Sequence, residues 1–173
     1  MAKNWKIRTD LSIEVCGHTL FRIECTQDFK EIKAGTLGGY IEKEENLDGD
    51  AWVYGNAQVY GNARVYGNAR VYGDAWVSGD AKVYGNAWVY GDKITNKDDI
   101  CYISNRYYNI TITPLHIKIG CQYHAQEAWW NFTDEQIKKM DGESALNFWK
   151  IWKEPLKQIC DAMKKEKGEK DVK

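Results

Sequence analysis

Between Leu47 and Trp88 the apolar and polar positions repeat with a period of six, as LDGDAW, VYGNAQ, VYGNAR, VYGNAR, VYGDAW, VSGDAK and VYGNAW. The first position of each of these seven hexads is aliphatic, and the fifth is alanine from Ala51 to Ala87. Two fixed, compact apolar positions predict a narrow interior. The third position is always glycine and the fourth always Asn or Asp, residue types that tolerate positive φ and turn the chain sharply. Each hexad therefore reads as one short strand and one corner. Strict register of alanine with β-branched valine argues against a disordered low-complexity tract. An imperfect hexad, VYGDKI, follows from Val89 to Ile94, with Lys93 in the alanine position.

Outside the array the period changes. LSIEVCGHTLFRIEC, from Leu11 to Cys25, predicts a β-hairpin joined at Gly17 and His18, with Ile13, Val15, Leu20 and Ile23 as its apolar candidates. Gly35, Gly38 and Gly39 are expected in one bend before Ile41, which is in phase with Leu47 as a ragged first rung, and Glu45 occupies the alanine place. The glycines read as a structural turn, not a phosphate loop. Beyond Lys93, ICYIS, YNITIT and HIKIGC predict three short strands closing the C-terminal end.

A helical region follows, with Thr133 as N-cap, Gln136 three residues on, and apolar positions at Leu146, Phe148, Trp149, Ile151, Trp152, Leu156, Ile159 and Met163. Its tryptophan stripe is expected to pack against the array. Pro155 is expected to start a second helix or kink the first, and the Lys/Glu-rich residues after Lys164 to fray. The expected organisation is an N-terminal β cap (1–46), the hexad array (47–94), short strands (95–123), a helical module (124–166) and a frayed tail (167–173).

A chain of 173 residues suffices for one compound unit and hardly for two large cores. With 24 Lys and Arg against 25 Asp and Glu, no global field selects nucleic acid or a membrane surface as partner. Neither MAKNWKIRTD nor any other stretch has the apolar run of a signal peptide or membrane span, so a cytoplasmic protein is expected. Five cysteines without a CxxC pair point to reduced thiols rather than a disulfide framework or zinc ribbon.

The hexads resemble the hexapeptide-repeat family, over about a quarter of the chain. That resemblance implies a left-handed parallel β-helix with three hexads per coil, commonly assembled as a homotrimer. The fold class expected is mainly β, a short left-handed parallel β-helix with an N-terminal β-hairpin cap and a C-terminal small sheet plus an α-helical tail. The order HTLFRIECTQDF, AGTLGGYIEKEENL, VYGNA hexads and IKIGCQYHAQEAWWNF further resembles uncharacterised hexapeptide-repeat proteins of phages and prophages. This implies a virus-encoded accessory protein acting in the host cytoplasm.

With three hexads per coil, residues 18 apart stack at about 4.8 Å. One outward face then carries Trp52, Arg70 and Trp88, flanked by Tyr54, Tyr72 and Tyr90; a second carries Gln58 and Trp76; a third carries Arg64 and Lys82. Trp52, Arg70, Trp88, Tyr72, Trp76, Arg64 and Lys82 are the candidate binding or interface residues. Three readings stay open for these rings and cations: a subunit interface, a plain exposed ladder, or an aromatic-ligand site.

Family acyltransferases use a histidine base, but His18, His116 and His124 all lie outside the array, so catalysis would need one of them to fold back against a neighbouring subunit. Cys121 and His124 have half of a metal-site spacing, which Cys101 and His116 would have to complete; His124 alternatively caps the following helix. No catalytic residue, metal site or cofactor is assigned. The expectation is a homotrimeric, non-catalytic binding protein holding a host protein or a nucleotide-like small molecule, with an acyltransferase or a structural scaffold as alternatives.

Overall fold

The computed structural model describes residues 3–170, and side chains through Lys165. Strands β1 (Trp5–Val15) and β2 (His18–Cys25) form an antiparallel hairpin turning at Cys16 and Gly17. β1 starts well before Leu11: Trp5 and Ile7 are in phase with Leu11, Ile13 and Val15, but the polar residues 8–10, where the register shifts, interrupt the apolar alternation between them. Trp5 is buried and Ile7 packs on the array core.

Strand β3 (Leu37–Ile41) pairs antiparallel with β2 and parallel with the first full coil, matching Ile41 with Val59 as the ragged rung requires. Gly38 and Gly39 lie inside this strand rather than in a bend. A Cβ at Gly38 would come 2.5 Å from Ile23 Cγ1, and one at Gly39 would come 2.5 Å from the Ala57 carbonyl oxygen. Close backbone approach, not turning, explains these two glycines.

The array supplies β4 (Trp52–Val53), β5 (Gln58–Val59), β6 (Arg64–Val65), β7 (Arg70–Tyr72), β8 (Trp76–Val77), β9 (Lys82–Val83), β10 (Trp88–Tyr90) and β11 (Lys93–Ile94). They stack as three parallel sheets, β3-β5-β8-β11, β4-β7-β10 and β6-β9, giving a β-solenoid of about three turns. Trp52 pairs with Arg70 and Arg70 with Trp88, Gln58 with Trp76, and Arg64 with Lys82, the 18-residue step expected. The aliphatic positions are fully buried and the alanines very nearly so, which makes the interior as narrow as the pattern predicts.

Both ends depart from the hexad in the same way. Short 3-10 turns at Glu44–Asn46 and Lys97–Asp99 replace a corner. At the first, Glu45 is exposed and Asn46 takes the buried place, donating to the Gly61 and Ala63 carbonyls at 3.2 and 2.8 Å. At the second, Asp99 accepts from the Thr95 and Asn96 amides. Lys93 does not stand in the alanine position: it pairs with Trp76, 17 residues away, and Asp92 supplies the carbonyl that alanine provides in earlier coils. One residue is missing from this coil.

Four antiparallel strands follow in sequential order, β12 (Cys101–Ile103), β13 (Ile110–Ile112), β14 (His116–Ile119) and β15 (Gln122–Ala125). Ile100 and Tyr102 pack on the end of the solenoid core, closing it as expected. β15 exceeds the three strands read from the pattern, its QYHA run lacking an apolar alternation. Helices α1 (Gln126–Asn131) and α2 (Asp134–Lys170) complete the chain, and Thr133 and Gln136 exchange the two hydrogen bonds of a capping box.

Within α2 the non-helical residues are Asp141 and Gly142, so the interruption lies there and not at Pro155. Phe148, Trp149 and Leu156 pack on Ile110, Ile112, Ile117 and Ile119 of the four-stranded sheet, not on the array. Helix α2 runs to Lys170, into the stretch expected to fray, and 171–173 lie outside the described residues. No described helix is long and apolar enough to cross a membrane.

Candidate functional site

Alternation along β13 and β14 gives the C-terminal sheet two unlike faces. Its isoleucines meet the helices. Thr111, Thr113, His116, Lys118 and Tyr123 meet the last coil of the solenoid instead, where Trp88 N–H donates to Thr111 Oγ1 at 3.2 Å and the Tyr123 hydroxyl donates to the Tyr90 carbonyl at 2.6 Å.

Asp92 is the centre of this junction. Its carboxylate is wholly buried, accepts from the Thr113 hydroxyl at 2.8 Å and the Leu115 amide at 3.1 Å, and lies 2.8 Å from His116 Nδ1. The Tyr123 hydroxyl approaches it at 3.3 Å, and the His116 ring stacks on Tyr123 with centroids 4.7 Å apart. Burial and the neighbouring Asp92 push the Tyr123 phenol well above its ordinary range. A buried carboxylate requires such partners, so the residue that interrupts the hexads is also the one that fastens the sheet to them.

Beside this joint an open groove of about 280 Å³ is lined by Tyr72, Trp88, Tyr90, Cys121, Tyr123 and Lys118. Tyr72 and Trp88 are inclined to each other with centroids 5.3 Å apart, and Tyr90 meets Tyr123 edge-on at 5.7 Å. Lys118 is only 9% exposed. Its ammonium donates to the Gly120 carbonyl and lies 4.0 Å from the Trp88 ring centre. Among the described residues no carboxylate forms an ion pair with it, and burial lowers its pKa from the ordinary lysine value.

The residues singled out by the hexad pattern separate. Trp52 is fully buried, edge-on against Phe29 at 5.6 Å. Arg70 is 8% exposed, bonded to Glu31 at 3.0 Å and to the Tyr54 hydroxyl at 2.9 Å. Both lie under a loop of the N-terminal cap, which Lys30 also clamps to Asn68 at 2.7 Å. Tyr54 and Tyr72 stack at 4.3 Å, as the expected ladder requires. Trp76 is half-buried on the next face with Lys93 5.2 Å over its ring. Arg64 and Lys82 are exposed on the third face.

Of the seven candidates, Tyr72 and Trp88 (38% exposed) therefore enter the groove. Lys118 was missed because a lysine between two isoleucines in HIKIG is the ordinary alternation of a half-buried strand and gives no sign that its polar face is covered.

The histidines are each engaged differently. His18 Nδ1 lies 2.8 Å from Glu42, which the imidazole holds below its ordinary carboxylate range and which also accepts from the Gly61 amide at 2.7 Å. His124 sits in β15, edge-on to Trp129 and Phe132, and Ala125 occupies the N-cap position that His124 was a candidate for. Burial lowers the His124 pKa.

Residues 57–68 and 63–79 match the family model of the YdcK beta-solenoid repeat, wholly within the array. No curated protein matches the chain.

Proposed function

We propose that this β-solenoid is a non-catalytic binding protein whose groove takes a planar ligand carrying an anionic group, of nucleotide type. The supporting observation is Lys118, a nearly buried ammonium without a paired carboxylate among the described residues, held against the Trp88 ring in the lining of a ring-lined groove. Base–aromatic stacking contributes about 1–3 kcal/mol per base, and a lysine serves a phosphate as a point charge. Sequestration of a nucleotide-type defence signal in the host cytoplasm is the form of this reading favoured by the resemblance to phage proteins. Trp52 and Arg70 then act as the buried scaffold of the face that presents Trp88.

Calorimetric titration with AMP tests it. Saturable binding that is lost in Lys118→Met and weakened in Trp88→Ala supports the groove; equal binding by both variants and the parent chain would sink it. A homotrimer belongs to the same reading, with the exposed Arg64, Lys82 and Tyr84 on the third face as the surface for a neighbouring copy. Sedimentation equilibrium measures that directly. An acyltransferase is the second reading, since the Asp92 carboxylate orients His116 as a general base would need. It requires acyl-donor turnover that disappears in His116→Ala.

A further inference from the structure

On the helix side of the C-terminal sheet an apolar cleft of about 80 Å³ opens between the sheet and α2. Trp129, Phe148 and Trp149 wall it, Met140 and Ala145 narrow it, and Asp141 is the one charged residue of its lining. The Tyr108 hydroxyl donates to Asp141 Oδ2 at 2.8 Å across the mouth, while the Tyr108 ring meets Phe148 edge-on at 4.9 Å. The helix interruption falls here. Asp141 has φ −155° and Gly142 φ +65°, which sets the carboxylate on the rim while Met140 and Ala145, on either side of the break, line the cleft.

An apolar recess of this kind forfeits dispersion contacts while empty, and cavities of about 150 Å³ lined by aliphatic and aromatic side chains stay dry and bind benzene. The volume here limits an occupant to a single ring. Tyr108 and Phe148, inclined at 84°, offer an edge and a face to such a ring, and the Met140 thioether adds a polarizable contact. A rim carboxylate selects a hydrogen-bond donor and repels an anion, the opposite of the preference that Lys118 gives the groove. We infer that this cleft is a second binding site, for a small single-ring aromatic ligand bearing one hydroxyl or N–H donor. The ring enters between Phe148 and Trp149, and the donor meets Asp141 at the mouth.

Methyl-labelled methionine reports on this in the full chain, because among the described residues Met140 lines the cleft and Met163 does not. Phenol is expected to shift the Met140 methyl resonance saturably and leave Met163 in place, with benzene binding more weakly and benzoate not at all. Ala145→Leu fills the recess and should abolish the phenol shift at unchanged helical circular dichroism. The inference is overturned if phenol gives the parent chain no saturable Met140 shift up to its solubility limit, or if benzoate binds as well as phenol. Persistence of the shift in a folded Ala145→Leu chain also overturns it.

Discussion

His116 Nδ1 lies 2.8 Å from Asp92 Oδ2, joining the third element of the four-stranded sheet to the coil that ends the solenoid. The carboxylate also holds the Thr113 hydroxyl and the Leu115 amide, so one side chain fastens two differently built halves.

Asp92→Ala removes that fastening and takes the acceptor from the buried Thr113 hydroxyl, the Leu115 amide and the His116 ring. The expected loss is about 3 kcal/mol in urea unfolding. Amide exchange should accelerate across residues 110–125 while the ladder around Val71 stays protected. Uniform acceleration through both regions would contradict a local joint.

Lys118 gives a pH signature. Burial lowers its pKa below 10.5, so the ammonium is less tolerated in the folded state than in the unfolded chain. Its destabilising effect is complete below the folded pKa and is relieved as pH rises from that value to 10.5. Relative to Lys118→Met, the parent chain should therefore gain stability through this alkaline window in thermal melts. Binding of an anion to the groove should weaken across the same window.

At the other end of the face, Glu31 is held below its ordinary 4.5, first by the Tyr54 hydroxyl and further by Arg70. A depressed carboxylate stabilises fully above 4.5 and loses its contribution as pH falls through the folded value. Acid is thus expected to open the cap loop and speed exchange of the Trp52 indole N–H. Glu31→Gln should exchange rapidly already at neutral pH; protection equal to the parent would mean that the loop is held by other contacts.

Two corner glycines separate conformational strain from steric overlap. Gly79 and Gly91 both have positive φ, but a Cβ at Gly91 meets nothing within 4 Å, whereas one at Gly79 would overlap the Thr95 carbonyl oxygen. Gly91→Ala should cost about 1–2 kcal/mol for the left-handed backbone alone. Gly79→Ala should cost roughly 1–3 kcal/mol more, since backbone must shift to admit the methyl group. Chemical denaturation of the two variants side by side decides this.

Periodicity made the solenoid legible down to its pairs: Trp52 with Arg70, Gln58 with Trp76 and Arg64 with Lys82 follow from the six-residue repeat and an 18-residue coil. It could not say which outward residues would be roofed over. Trp52 and Arg70 occupy the same repeat position as Trp88, yet Phe29 and Glu31 cover the first two, from a loop with no periodic signal of its own. The groove depends on a second long-range event, the docking of β14, and its key residue Lys118 lies 30 residues beyond Trp88 in the chain. The tryptophan-rich helix was recognisable as amphipathic, but an apolar stripe does not name its partner, and the isoleucine face of the sheet was the nearer one.

The residue missing between Tyr90 and Lys93 sets the phase of everything after it. Duplicating a whole coil upstream would carry the sheet and helices outward by about 4.8 Å and return Asp92 to the same azimuth, leaving the groove intact. Duplicating a single hexad upstream of Val71 would also carry Tyr72, Trp88, Asp92 and Lys118 together, but would swing them all by about 120° relative to the N-terminal cap. Upstream steps of six residues therefore keep the Asp92 junction, while only steps of 18 also keep its azimuth relative to the N-terminal cap and the loop that roofs Trp52.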